Sequence, residues 1–392
     1  MREKPDASVL WLTGTAWASL LIFAVTNTLV SVSLQRIGED LDVGFALRGA
    51  LGVPRSCALA LVALLSGYAA DRLGKRWFLV GGMLVIALSL LWIGAGSTYL
   101  ALMAGLFMMG AGLGCIEALA SPLVAQLHPR SVAAHMNVLH AFFPFGVLVS
   151  SVIAGFALDR GVHWRVPFSV VSVPAAVVAV MFLLGRYPGE QAGPRQTPVR
   201  IRDLLMSRTF WLLAAAMALT AGCEGALLYW IPNFIQSNYR ASATTGAYGL
   251  MVVGAAMAVG RLGTGAAVRF VSIGRLMITT AFLGALATLC VALAGSLQVT
   301  LILLAPAGLF AACFWPSILS LASERIAAAS ATLFALLAVA GIVGFGLGPL
   351  AVGALAQHFT LRGGLAFVPL SFTAAGLVLI VVLKPPRAGR NA

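Results

Sequence analysis

Long apolar runs follow one another along this chain with only short polar breaks between them. Polar positions collect in the breaks rather than alternating along the runs. A hydrocarbon core about 30 Å thick and a helical rise of about 1.5 Å per residue require roughly 20 apolar residues for one crossing. Six such stretches lie at 9–34, 45–70, 77–95, 98–127, 131–158 and 165–185, and six more at 209–236, 243–268, 274–294, 298–322, 327–357 and 362–383. The pattern predicts an all-α membrane protein with twelve transmembrane helices. One longer polar interval, from Gly185 to Arg208, carries Pro188, Pro194 and Pro198 among five arginines and divides the helices six and six. We therefore read residues 1–185 as an N-terminal six-helix bundle, 186–208 as a cytoplasmic linker and 209–392 as a C-terminal six-helix bundle.

The two bundles echo each other. Gly67 and Gly265, Gly146 and Gly344, and Gly155 and Gly353 are each 198 residues apart. A constant offset across several positions predicts duplicated, pseudo-symmetric bundles.

Composition agrees with the pattern. The 392 residues are 60% hydrophobic and 9% charged, against about 25% charged in soluble domains. The 42 glycines suit helices that approach closely where lipid supplies no hydrophobic drive. Leu10 to Leu34 is longer than a signal peptide's apolar core and lacks a clean cleavage site, so the first helix is expected to be retained.

Lys and Arg fall 18 to the side of the chain ends, Arg261 counted among them, and 6 to the other, with Arg55 inside a helix. That bias predicts a multi-pass protein of the cell inner membrane with both termini cytoplasmic. The net charge of +13 then belongs to topology and lipid headgroups, and no nucleic-acid partner is expected. Cys57, Cys115, Cys223, Cys290 and Cys313 lie in apolar stretches without ligand spacing, so no metal is expected.

The segment from Gly67 to Arg76, with Asp71, Arg72, Gly74 and Lys75, resembles the loop signature of the major facilitator superfamily. Physically, Gly67 permits close helix contact, Gly74 a tight turn, and the basic residues hold the loop in the cytoplasm. The resemblance implies that this loop latches the bundles when the cavity faces outward; the charges alone would also serve topology. Two further stretches resemble the fucose-permease branch of sugar:cation symporters. One is Gly110-Ala-Gly-Leu-Gly-Cys-Ile-Glu117 with Met136-Asn137-Val-Leu-His140, and the other Gly222-Cys-Glu224-Gly225 leading to Tyr229-Trp230-Ile-Pro232. The chain departs from that branch in the first helix, which carries Asn27, Thr28, Ser31, Ser33 and Gln35 in place of an acidic residue. Ser150-Ser151 in the fifth helix argues against multidrug efflux.

Only Glu117 and Glu224 among the acidic residues lie deep in apolar helices, where a charge costs about 2.5–3.5 kcal/mol even on lenient scales. By helical rise Glu117 lies about 15 Å and His140 about 13 Å from the same boundary. The two can share a proton linked to substrate binding, or form a static hydrogen bond. Glu224, about 22 Å up the seventh helix, takes part in coupling, lines the outer cavity, or makes a structural hydrogen bond. Arg55, about 24 Å up the second helix, is either an interfacial arginine or a cavity residue that selects an anion. Asn27, Ser31 and Gln35 recur every four residues as a polar stripe able to bind hydroxyl-rich solutes. Asn137, Trp230, Asn233 and Trp315 are further substrate-facing candidates, the tryptophans having an alternative as interfacial belt residues.

No nucleotide loop, catalytic triad or zinc pattern is visible, so neither an enzyme nor a cofactor is expected. The expectation is a monomeric secondary transporter that moves a sugar or related polar solute by symport with a proton or sodium ion. The alternative is an organic-anion carrier or exporter, and the discriminating feature is whether Arg55 faces the cavity.

Overall fold

The computed structural model describes residues 7–129, 132–187, 201–326 and 331–383, which form sixteen helices and, among them, no strand. In chain order these are α1 (Ala7–Asp40), α2 (Phe45–Ala50), α3 (Gly52–Leu73), α4 (Lys75–Ala95), α5 (Tyr99–Leu127), α6 (Val132–Asp159), α7 (Arg165–Leu184), α8 (Ile201–Met206), α9 (Arg208–Tyr239), α10 (Ala243–Ala267), α11 (Ile273–Leu293), α12 (Leu297–Ala311), α13 (Phe314–Arg325), α14 (Ala331–His358), α15 (Leu361–Gly364) and α16 (Phe367–Leu383). Twelve segments are long and apolar enough to cross a membrane. Nine are single helices, and three are pairs: α2 with α3, α12 with α13, and α15 with α16. Most of the expected linker, 188–200, lies outside the described residues.

Each of the three broken spans carries a proline just past its break, although Pro122, Pro144, Pro174, Pro232, Pro306 and Pro349 are accommodated inside unbroken helices. Proline has no N–H to donate to the carbonyl four residues earlier, and its ring clashes with that carbonyl. Pro54, Pro316 and Pro369 lie four residues after Ala50, Ala312 and Leu365, and each helix is interrupted there. At the other extreme α1 runs on past its apolar stretch to Asp40. Its polar end is held by Gln35 donating to Glu39 (2.7 Å) and by the Arg36–Glu39 pair (3.4 Å).

The packing is two-fold. In the first bundle α3 and α4 pack on α5, α4 on α7, and α1 on α6; in the second α10 and α11 pack on α12, α11 on α16, and α9 on α14. Glycine sets the closest approach. A Cβ on Gly348 of α14 would stand 2.1 Å from the carbonyl oxygen of Gly222 on α9, and one on Gly344 2.1 Å from that of Ala218. With two even sets of spans, α1 begins and α16 ends on one side of the membrane, here the terminal side.

The bundles meet on the opposite, far side. α1 lies against α9, α2 and α3 against α14, and α6 against α10. The contacts obey the offset of the glycine repeat. Ser31 donates to the Tyr229 carbonyl (3.0 Å) and Asn233 donates to the Gln35 side chain (2.8 Å), each joining positions 198 apart. Gly155 packs on Ala243 and Ala247 as Gly353 packs on Phe45 and Gly49, the pseudo-symmetric mates. Asp159 caps α10 across the seam, accepting from the N–H groups of Ala243 (2.8 Å) and Thr244 (2.9 Å), and Gln357 accepts at α2 from Ala46 (3.4 Å). Free N–H groups at a helix start are thus closed by the other bundle.

Toward the terminal side the bundles part. Gly67, Gly263 and Gly265 have open space where a Cβ would stand, and Leu262 is 79% exposed. Among the described residues nothing lies within 4 Å of where a Gly67 Cβ would stand, so the close helix contact expected of Gly67 is not made there. We expect Gly348→Val to cost roughly 1–3 kcal/mol by overpacking and to lower the melting temperature in detergent by several degrees. Gly265→Ala, facing open space, is expected to leave it unchanged; a thermal-unfolding series on the purified chain checks both.

Candidate functional site

A cavity lies between the bundles just beneath the far-side seam. Its wall takes Asn27, Thr28 and Ser31 from α1, Gly52 and Arg55 from α3, Leu106 from α5, Phe143 and Val147 from α6, Leu228 and Tyr229 from α9, Leu250 from α10 and Phe345 from α14. The roof of the cavity and the seam share residues. Ser31 donates to the Leu228 carbonyl (2.6 Å), and the Tyr229 hydroxyl donates to the Arg48 carbonyl on α2 (2.8 Å).

Arg55 is held at this wall by backbone packing. Gly110 of α5 lies so close that a Cβ there would stand 2.1 Å from the Arg55 carbonyl oxygen. The residue is only 7% exposed, and its guanidinium lies over the Phe345 ring, 6.0 Å from the centroid. Among the described residues no carboxylate pairs with that guanidinium and no side chain or carbonyl accepts from it. The cation faces the cavity, and the interfacial alternative is set aside.

A second polar group lies deeper toward the terminal side. Glu224 on α9 is buried and accepts from Arg261 on α10 at 3.1 Å. Arg261 also has a buried Nε without a partner among the described residues. His140 contacts the Ser121 hydroxyl on α5 (3.4 Å), and Glu117 sits one turn before Ser121 on the same helix face. Both Glu117 and His140 are exposed to the open cleft. No direct Glu117–His140 bond is formed among the described residues; Ser121 is the intervening group.

The remaining expected residues divide between cavity and seam. Asn27 lines the cavity with its amide donating to the Phe23 carbonyl (3.0 Å). Gln35 and Asn233 bind each other above the cavity. Trp230 is fully buried, donates to the Pro349 carbonyl (2.9 Å) and packs on Phe45, so it belongs to the seam. Trp315 packs over Gly341 and Met217 within the second bundle. The side chains of Asn137 and Asp71 lie outside those described.

In the loop motif, Gly74 has φ 85°, a conformation that glycine adopts without strain, and ends α3. Arg76 donates to the Leu183 carbonyl at the end of α7 and Lys75 to Gln126 (2.7 Å), both within the first bundle, while Arg72 is exposed.

Sequence reasoning missed Arg261, which it counted among the basic residues outside the membrane, and Phe345 and Tyr229. Arg261 lies inside the predicted span 243–268, and the acidic Glu224 on the preceding helix was the available signal. Among the described residues, no cluster of three His, Cys, Asp or Glu is placed to hold a metal, and the five cysteines are free.

Comparison with known proteins places this geometry. A family model described as Major Facilitator Superfamily matches residues 16–326. The cis,cis-muconate transport protein of Acinetobacter baylyi is 24% identical over 266 residues, covering 62% of this chain and 63% of that protein. Myo-inositol transporter 1 of Candida albicans is 26% identical over 184 residues, covering 46% of this chain and 33% of that protein. The chain thus spans less than two-thirds of the length of either relative. Among solved structures, a single-residue variant of the nucleoside transporter NupG superposes with TM-score 0.82 at 12% identity, covering 96% of this chain and all of that one. A variant of the E. coli fucose:proton symporter FucP superposes with TM-score 0.65 at 18% identity, again covering 96% of this chain and all of that one.

Removing one member of a buried ion pair costs roughly 3–5 kcal/mol, less here because the Arg261 side chain is 36% exposed. Glu224→Gln is therefore expected to destabilise the chain toward the low end of that range. Adding Arg261→Met should recover more than half of the loss, read as a double-mutant cycle in thermal unfolding.

Proposed function

Because the chain belongs to the Major Facilitator Superfamily, and is therefore a membrane transporter rather than an enzyme, we propose that it carries a small organic anion by alternating access, with the anion held on Arg55. One observation carries this reading: a buried guanidinium, without a counter-charge among the described residues, faces the cavity between the bundles. A cation inside the membrane is costly, about 2.5–3.5 kcal/mol on the most lenient scale, and an incoming carboxylate offsets that cost with a bidentate, charge-assisted bond. The muconate named for the Acinetobacter relative is a carboxylate. The sugar reading rested on the resemblance to the fucose-permease branch and on the polar stripe of α1, of which Gln35 is engaged in the seam and Ser31 by backbone carbonyls.

A second reading keeps a neutral polyol. The inositol named for the Candida relative is one, and Asn27 and Ser31 reach the cavity wall. In that reading Arg55 donates to substrate hydroxyls, and its removal weakens binding less.

For coupling we favour a proton. An anion entering with one proton moves no net charge, and Glu117, exposed to the cleft and unpaired among the described residues, is a carboxylate free to take that proton. His140 through Ser121, and the Glu224–Arg261 pair beyond it, form the polar route around that group. The far-side seam serves as one gate and the Gly67–Arg76 loop as part of the other, with residues 1–185 and 209–392 moving as bodies about the linker 186–208. The arginine bias supports termini facing the cytoplasm from an inner membrane. Moving Arg261 into the membrane leaves it at 17 against 6.

The test is uptake into proteoliposomes of radiolabelled carboxylates and polyols, with and without imposed proton and sodium gradients. Arg55→Gln is expected to raise the KM for a transported carboxylate at least about tenfold, the equivalent of a lost charged hydrogen bond of about 1.5–3 kcal/mol. Accumulation of polyols alone, with a rise in KM on Arg55→Gln well below tenfold, decides for the second reading. Glu117→Gln is expected to abolish acceleration by an inward proton gradient while leaving counterflow of the same carboxylate measurable; retained pH dependence assigns the proton elsewhere.

A further inference from the structure

We infer that the cavity selects a flat, conjugated monocarboxylate, an aromatic acid in its simplest form, over a saturated acid of equal charge, with Phe345 as the residue that sets the preference. This rests on the anion reading above and adds the chemistry of the substrate's body.

Most polar groups of the wall are already occupied. Thr28 donates its hydroxyl hydrogen to the Ala24 carbonyl (3.0 Å), Ser31 to the Leu228 carbonyl (2.6 Å) and Tyr229 to the Arg48 carbonyl (2.8 Å). Asn27 commits one of its two amide hydrogens to the Phe23 carbonyl (3.0 Å). Arg55 alone presents a full set of donors. A solute rich in hydroxyls finds few partners there, whereas one with a single concentrated anionic head finds one strong site. The rest of the wall is apolar, from Leu106, Val147 and Leu250 to the two rings of Phe143 and Phe345.

Placement of the rings supplies the second step. Phe345 lies beneath the Arg55 guanidinium, and Phe143 is held in position by an edge-to-face contact with Phe23, 5.9 Å between centroids. A carboxylate bound to an arginine fork lies in the plane of the guanidinium. When the body is conjugated to that carboxylate it continues in the same plane, and the Phe143 and Phe345 rings of α6 and α14 line the cavity it enters. Offset or edge-on ring contacts are each worth about 0.5–1.5 kcal/mol beyond area burial; a puckered saturated ring makes neither contact well. Phe345 and Arg55 come from different bundles, so such a ligand bridges them.

Benzoate and cyclohexanecarboxylate carry the same charge on the same number of carbons and differ in planarity. Titration calorimetry of the purified full chain with each is expected to show benzoate binding at least tenfold tighter. Phe345→Leu should bring the ratio within about threefold while both acids still weaken on Arg55→Gln. Phe143→Leu, at a site away from the guanidinium, should narrow the ratio in the same direction. Equal affinities in the unmodified chain, or a ratio untouched by both phenylalanine variants, overturns the inference and leaves the anion reading standing if Arg55→Gln still weakens both acids. Insensitivity of both acids to Arg55→Gln removes the anion reading and this inference together.

Discussion

Inside a hydrocarbon layer there is no water to complete a hydrogen bond, so each polar group carried across must find its partner in the protein or in what the protein binds. Most of this architecture follows from that constraint. Thr13, Thr15, Thr28, Ser150, Thr220 and Thr288 return their hydroxyls to carbonyls of the preceding helical turn. Helix starts at the seam are capped by Asp159 and Gln357 of the opposite bundle. Glu224 takes Arg261. Single buried atoms of Trp17, Ser33, Asn233 and Arg261 also lack a partner among the described residues, but Arg55 leaves a whole guanidinium unpaired at a cavity wall, the place where something other than protein can pair with it.

The same constraint ties the cavity to the gate. Ser31 and Tyr229 line the cavity wall, and their hydroxyls close the far-side seam above it. A solute that disturbs either residue disturbs the seal. Binding and closure then share one set of hydrogen bonds, so occupancy biases the equilibrium between conformations by its differential contacts with each. The open cleft below, marked by Gly67, Gly263 and Gly265 without neighbours, leaves Glu117 and His140 in reach of water while Arg55 stays enclosed.

All twelve spans were legible because a membrane crossing leaves a signal about twenty residues long that no local detail obscures. The helix breaks were legible only in part, since Pro54, Pro316 and Pro369 announce a missing N–H but so do six prolines that lie inside unbroken helices. Rotation about the helix axis was not. Arg55 and Arg261 each sit within a snorkelling length of a boundary, and the linear pattern does not tell whether such a side chain turns to the headgroups or inward. Tyr229 and Phe345 stand among other apolar residues with no contrast to mark them. Glu117 and Glu224 stood out because an acid in an apolar run is costly, yet their partners depended on which helices become neighbours. The pairing of Glu224 with Arg261 rather than with a solvent-filled outer cavity is a fact of helix packing.

The hydrogen bonds joining positions 198 apart place the axis of internal symmetry at the seam. Carried through the chain, the same offset sets each candidate functional group against an uncharged counterpart. Arg55 answers to Val253, Glu117 to Trp315, His140 to Ala338, Glu224 to Thr26 and Arg261 to Ala63. The frame is thus that of a dimer fused into one chain, while its chemistry is lopsided. An unsymmetrical cargo has a single way round in such a site, whereas a true dimer would offer it two equivalent poses. Duplication of this kind separates two evolutionary tasks: matched glycines and caps keep the rocking frame intact, and unmatched positions are free to be rewritten for another cargo without touching it.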